Sequence, residues 1–305
     1  MRTSIRSVLQ LVRLPNVFTA AADSLAGWLL VGGALGDLAG WAPLAGASMA
    51  LYAAGMALND WFDLDVDRAE RPERPLPSGK VAVGVAAAIG WGGLALGLLA
   101  AAFARGFASP TFAVAVALAG AIVGYNAGLK KTFLGPWAMG SCRAFNMLLG
   151  MSAAASLGGP IAWLAAAAFG TFVAGVTWIS RSEAHGGETR NLIIGLSIQD
   201  LALLGLAAVS LAPGSFPEPW AGRPLIPLEG LLVLALAALA INAAASRAIR
   251  EPSPALIRRA VKTGVLSLVW LDVALVASVR GPLPALAVAA LWPPAFLLAR
   301  RLYAT

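Results

Sequence analysis

The chain repeatedly runs about 20 residues without a charge, and nothing else in it restricts the fold so tightly. Ten such apolar runs fall near residues 17–36, 42–61, 81–104, 110–128, 136–157, 160–181, 191–212, 226–247, 261–279 and 283–300, each about as long as a helix must be to cross a bilayer. Inside lipid every backbone polar group must find its partner within the spanning structure, which leaves helices or a closed barrel. Strict alternation of apolar and polar residues is missing, which argues against a barrel. A content of 59% hydrophobic and 12% charged residues lies far from that of a soluble domain. The expected fold is all-α: a polytopic membrane helical bundle of nine or ten transmembrane helices around a central cavity opening to the cytoplasm, with residues 1–305 forming a single integral membrane domain. Cys142 is the only cysteine, so there is no intrachain disulfide framework.

The basic residues set the expected orientation. With the N-terminus in the cytoplasm, 18 of the 22 Lys and Arg residues fall in inside loops, 3 (Arg105, Arg223 and Arg280) fall outside, and Arg143 lies within a span. This asymmetry predicts a multi-pass protein of the cell inner (plasma) membrane. The net charge of +7 is spread over many short loops, as topology requires, and no nucleic-acid partner is expected.

Acidic residues are concentrated instead. Six of the fifteen (Asp60, Asp63, Asp65, Asp67, Glu70 and Glu73) occupy residues 60–73, at the cytoplasmic end of the second run. On a continuous helix, Asp60, Asp63 and Asp67 at i, i+3 and i+7 share a face, Asn59 lies beside Asp63, and Asp65 points away. Clustered carboxylates repel one another unless a divalent cation neutralises them, and hard Mg²⁺ favours such oxygen ligands together with phosphate. Two further loops share this side. Tyr125 to Lys131 supplies a hydroxyl and two ammonium groups suited to phosphate. Ser180 to Glu188 supplies Arg181, Glu183, His185 and Glu188 around Gly186-Gly187, and its glutamates are the groups able to complete a metal site opposite the aspartates.

Polar residues within the runs form a third signal. Asp23, Arg143, Asn146, Asp200, Asn242 and Asp272 lie at a common depth of ~9–15 Å below the expected inner boundary, at 1.5 Å per residue. Such residues normally face a wet cavity or one another, so either a polar funnel or a pairing of Arg143 with Asp200 or Asp272 is expected.

These residues resemble a known family. The pattern Asn59-Asp60-x-x-Asp63-x-x-x-Asp67, followed by Arg71, Arg74-Pro75 and Pro77-Ser78-Gly79, is similar to the first aspartate-rich motif of the UbiA superfamily of intramembrane prenyltransferases. Arg13-Leu14-Pro15-Asn16, Tyr125 and Lys130 also fit its pattern, so the resemblance runs over most of residues 10–200. The superfamily's second motif, Asp-x-x-x-Asp, is replaced by Glu183 and Glu188, which resembles a divergent branch found in bacterial Ebo gene clusters.

The resemblance implies Mg²⁺-dependent transfer of a prenyl group from an isoprenoid diphosphate to a small aromatic or alcohol acceptor. It implies Asn59, Asp60, Asp63, Asp67, Glu183 and Glu188 as metal ligands, with Asp60, Asp63, Asp67 and Glu183 central to catalysis. Arg68, Arg74, Tyr125, Lys130, Arg143, Asn146 and Arg181 are then expected around the diphosphate and substrate. The alternatives are an isoprenoid or metabolite transporter or flippase, which needs a polar cavity but no aspartate array, and an alcohol phosphotransferase, whose Asp-Gly pattern is missing.

Overall fold

The structure, a computed structural model, describes residues 4–154, 157–183, 188–212, 216 and 226–302. The chain enters through a short helix, α1 (Ile5–Leu11), started by the Ser4 hydroxyl, which accepts from the Ser7 N–H. It then runs through α2 (Leu14–Leu30), α3 (Leu38–Phe62), α4 (Leu64–Glu70), α5 (Val83–Arg105) and α6 (Pro110–Ala127). A 3-10 turn at Leu129–Lys131 precedes α7 (Gly135–Met151), α8 (Gly159–Ser180), α9 (Thr189–Leu211), α10 (Leu228–Arg250), α11 (Pro254–Arg280), α12 (Pro282–Ala289) and α13 (Trp292–Leu302). Several starts are legible in the sequence. Ser109-Pro110 and Ser253-Pro254 each place a hydroxyl that accepts from the N–H three residues on, ahead of a proline whose missing donor costs nothing there.

Each of the ten apolar runs contains helix among the described residues. Eight stretches (α3, α5, α6, α8, α9, α10, α11 and the combined Pro282–Leu302) are long and apolar enough to cross a membrane by length and composition. The other two, α2 and α7, have 17 residues each and carry the buried polar residues Asp23, Arg143 and Asn146. The last run is interrupted between Ala289 and Trp292, so α12 and α13 form two shorter pieces in place of the one helix expected.

Neighbouring helices pair as α3 with α5, α7 with α8, α8 with α9 and α10 with α11, while α2 packs on α3, α7, α11 and α13. The helix α2 thus sits inside the bundle, and Trp28, Leu29 and Leu30 join the main apolar core. Large apolar side chains such as Leu96, Phe103, Leu204 and Leu239 point outward, as expected of a bundle whose solvent is lipid. At the N-terminal end, the Gln10 side chain donates to the Leu302 carbonyl at 2.8 Å and ties α1 to α13.

The expected continuous helix through residues 59–67 is broken by one residue. Asp63 (φ −94, ψ 7) ends α3 and starts α4, although the Asp63 and Asp67 N–H groups still reach back to Asn59 and Asp63. The break decides where the carboxylates go.

Candidate active site

A cavity of about 560 Å³ opens among α2, α3, α4, α6, α7, α8 and α11. One end is lined by Asn59, Asp63, Asp67, Arg71, Arg74 and Lys130, and the walls further in by Leu51, Leu118, Ile122, Val173, Val176 and Leu268. Charge at one end and hydrocarbon along the rest is the arrangement an amphiphile with an anionic head needs.

Asp63 and Asp67 reach the cavity on either side of the break, and each carries a cation. Lys130 Nζ lies 2.7 Å from Asp63 Oδ2, and Arg74 Nη1 lies 2.7 Å from Asp67 Oδ2. Asp60 is turned away from the cavity wall and buried, and its Oδ1 faces Arg74 Nη1 at 3.7 Å and Arg13 Nη2 at 3.9 Å. The expected sharing of one face by all three carboxylates therefore gives way to two on the wall and one behind it. Asp65 points outward as expected, and it binds Arg68 at 2.9 Å. That pairing removes Arg68 from the cavity, contrary to its expected place near the diphosphate.

Arg13 heads α2 in the left-handed region (φ 50, ψ 53), a conformation that costs a non-glycine residue on the order of 1 kcal/mol. The turn brings its side chain to the Asp60 carboxylate, so local strain is spent at the charged rim. Asn59 donates through Nδ2 to Asn126 Oδ1 at 3.0 Å, while buried Asn126 donates onward to the Gly55 and Ile122 carbonyls. The Asn59 side-chain Oδ1 and its second amide hydrogen are then left to meet a ligand.

Tyr125 and Lys130 line the cavity where expected, and Lys131 and Arg71 join them. Arg181 does not. It donates to the Thr132 carbonyl and lies over the Trp178 ring, clamping the loop after α6 against α8.

The loop after α8 divides in the same way. Glu183 lines the cavity, and burial pushes its carboxyl above the ordinary carboxylate value against the pull of Arg71, Arg258, Arg13 and Arg74. Glu188 stands exposed at the start of α9 and is not on the cavity wall, so the two glutamates do not converge. His185, Gly186 and Gly187 lie outside the described residues.

Among the described residues, no three His, Cys, Asp or Glu side chains are close enough to hold a metal ion by themselves. The donor set still fits Mg²⁺ in one particular way. Magnesium keeps several waters and is commonly held by one or two carboxylates together with substrate phosphate oxygens, not by an all-protein cage. Asp63, Asp67 and the Asn59 oxygen offer hard ligands of that kind beside cations suited to phosphate.

Of the six intramembrane polar residues, only Arg143 and Asn146 reach the cavity. Arg143 pairs with Asp23, with Asp272 beside them, and not with Asp200. Asp200 accepts from Asn242 at 2.8 Å, joining α9 to α10. The expected funnel lined by all six is therefore reduced to two residues with two carboxyls behind them. Arg13, Arg71 and Asn126 are rim residues that the sequence argument did not place as ligands, though Arg13 and Arg71 stand within the motif segments that carried it.

The model of the UbiA prenyltransferase family matches residues 20–263. The digeranylgeranylglyceryl phosphate synthase of Ignicoccus hospitalis is 31% identical over 258 residues, covering 78% of this chain and 82% of its own length. Among solved structures, a UbiA homolog from Aeropyrum pernix K1 superposes with a TM-score of 0.63 at 18% identity, over 86% of this chain and 97% of that one. A UbiA homolog from Archaeoglobus fulgidus bound to DMAPP and Mg²⁺ gives a TM-score of 0.55 at 19% identity, over 88% of this chain and 99% of that one. The matched span takes in α3, α4 and the rim of the cavity apart from Arg13, and the chain belongs to the UbiA prenyltransferase family.

Proposed function

We propose that the chain transfers a prenyl group from an isoprenoid diphosphate to a small acceptor within the membrane, in a reaction that depends on Mg²⁺, and that it does so as one integral membrane unit. The observation that carries this reading is the gradient in the cavity, from the Asp63–Lys130 and Asp67–Arg74 pairs at one end to an apolar wall at the other. The Archaeoglobus homolog, bound to DMAPP in one structure and GPP in another, each with Mg²⁺, supports the same ligand pair.

Jointly with the diphosphate, Asn59, Asp63 and Asp67 would in this scheme hold Mg²⁺, which would supply neutralisation of the charge on the leaving group. Lys130, Arg71, Arg74 and Tyr125 would donate to the diphosphate oxygens. Asp60 holds Arg13 and Arg74 in place from behind. The apolar wall takes the prenyl tail and keeps water from an allylic cation. Glu183 supplies negative charge on the opposite side, among arginines.

The asymmetry of Lys and Arg places the charged end of the cavity and the N-terminus on the cytoplasmic side of the plasma membrane in this reading. Relatives whose name specifies a glyceryl phosphate product favour an alcohol acceptor over an aromatic one.

Purified protein in lipid nanodiscs, given labelled geranylgeranyl diphosphate and an alkylglycerol phosphate, is expected to release diphosphate only when Mg²⁺ and acceptor are both present. Binding of the prenyl diphosphate with no consumption under any condition would favour the transporter reading.

A further inference from the structure

Behind the cavity lies a polar cluster that the transfer scheme does not use. Asp23 on α2 and Asp272 on α11 are fully buried, and Arg143 and Asn146 on α7 are nearly so. Asp23 is ion-paired with Arg143, and Asp272 lies beside them with neither carboxyl oxygen in a hydrogen bond among the described residues.

The sum of charges matters first. Arg143 is permanently cationic, and two carboxyls face it, so the cluster is neutral when one proton is shared and negative when none is. Protonating both would strand a buried guanidinium without a counter-ion, the costliest state. An arginine that looks cationic in the sequence therefore presents no net positive charge to the cavity.

The remaining hydrogen-bonding capacity matters next. Arg143 donates to Thr19 Oγ1 at 3.2 Å and to the Thr19 carbonyl at 2.9 Å, and its Nε faces Asp23. Of the five guanidinium N–H groups, the one on Nε is turned to Asp23 without a hydrogen bond, and two more remain, one on each terminal nitrogen. Asn146 spends both amide hydrogens, on the Ala20 carbonyl and on Asp23, and its Oδ1 accepts from Ser48 at 2.6 Å with one lone pair to spare. A ligand reaching this point thus meets N–H donors and one acceptor oxygen side by side. A hydroxyl, which accepts and donates at once, satisfies both. A carboxylate satisfies only the donors, and it faces the Asn146 oxygen and a cluster with no positive charge to offer.

We propose that Arg143 and Asn146 form an acceptor subsite that selects a neutral hydroxyl and rejects a carboxylate, with Asp23 and Asp272 as positioning residues that cancel the charge of Arg143. The proposal rests on the transferase reading given above and names the acceptor class it implies: an alcohol whose anionic group, where it has one, stays at the charged rim.

The test compares two matched acceptors in nanodiscs with geranylgeranyl diphosphate and Mg²⁺: a 1-O-alkylglycerol, and an alkoxyacetic acid of the same chain length, whose only nucleophile is a carboxylate. The alcohol is expected to exceed the acid in kcat/KM by at least about 100-fold. The double Asp23→Asn, Asp272→Asn variant leaves Arg143 without a counter-charge, so the subsite becomes cationic, and the ratio is expected to narrow about 10-fold. Mg²⁺-dependent donor binding is expected to be unchanged in that variant, which separates an effect on the acceptor from general damage. A wild-type ratio near one overturns the proposal without any variant, and so does an unchanged ratio in an Asp23→Asn, Asp272→Asn protein that binds donor normally. Transfer to neither acceptor, with donor bound, overturns the transferase reading and this proposal with it.

Discussion

Gly170→Ala tests whether the acceptor side of the cavity depends on one close helix contact. Gly170 on α8 faces Gly140 on α7, and a Cβ added at Gly170 would sit 2.8 Å from the Gly140 carbonyl oxygen and 3.1 Å from the Ala144 Cβ. Ordinary contact begins near 3.4 Å, so the two helices must part by about 0.6 Å, and the obstructing atom is backbone that cannot rotate away. Overpacking of this kind costs ~1–3 kcal/mol. A gain in helix propensity of up to ~1 kcal/mol on replacing glycine offsets part of it. Gly46→Ala on α3 supplies the control, because a Cβ there meets nothing within 4 Å and only the gain remains. The two variants should therefore differ in stability by ~1–3 kcal/mol, the overpacking cost alone. Unfolding in mixed micelles, followed by the fluorescence of the ten tryptophans, measures the difference. Because α7 also carries Arg143 and Asn146, Gly170→Ala should raise the KM for acceptor more than it weakens donor binding. Equal stability of the two variants, or a loss confined to donor binding, would refute the argument.

Asp63→Asn is expected to weaken Mg²⁺-dependent binding of a non-hydrolysable prenyl diphosphate analogue by at least tenfold in calorimetry, while Asp65→Asn, which alters an exposed pair, changes it less than twofold. Glu183→Gln should weaken the same binding, and Glu188→Gln should not, since only Glu183 is on the cavity wall. Burial raises the Glu183 carboxyl above its unfolded value, so its contribution to stability is present below the unfolded pKa and lost as pH rises through the folded one. Glu183→Gln is therefore expected to be more stabilising at neutral pH than at pH 4, and the opposite trend in melting temperature would count against the buried placement. Single cysteines at positions 63 and 183 in a Cys142→Ala background should react with a membrane-impermeant thiol reagent from the same side, and labelling from opposite sides would break the site apart.

The helices were legible because lipid imposes a simple rule: an uncharged run of sufficient length after Ser109-Pro110 became α6 nearly residue for residue, whereas α11 starts at Pro254, seven residues before its run, and carries Arg258, Arg259 and Lys262 in its first turns. The break at Asp63 was not legible, because it comes from a backbone turn at one aspartate that carries no proline or glycine signal. The sequence therefore placed Asp60 on the wall when packing turned it behind. Arg68 and Arg181 looked like phosphate ligands by position, but each found a nearer partner, Asp65 in one case and the Thr132 carbonyl in the other. Depth along a helix was readable for Asp23, Arg143 and Asp272. Their convergence depended on which face each helix turned inward, and that is decided by contacts between helices far apart in the chain.

The charges at the rim explain why the metal site is not preassembled. Five carboxylates (Asp60, Asp63, Asp67, Glu70 and Glu183) stand among six cations (Arg13, Arg71, Arg74, Lys130, Lys131 and Arg258), so the rim is close to balanced as it is. A dication alone must displace Lys130 or Arg74 from its carboxylate, and a polyanion alone must pull the same cations away and leave Asp63 and Asp67 bare. The two together cost far less: the dication takes the carboxylates, the polyanion takes the released cations, and the sum of charges hardly changes. Each ligand therefore lowers the cost of the other, and by linkage the coupling must be equal in both directions. A rim of this kind favours the Mg²⁺–diphosphate pair over free phosphate or free metal, without needing the three-carboxylate cage that the described residues lack. Deeper in, the same economy holds in reverse, since Asp23 and Asp272 cancel the one cation that reaches the acceptor. Headgroup charge is then matched at the rim and refused at the Arg143 subsite, which fixes the direction in which an amphiphilic acceptor can lie.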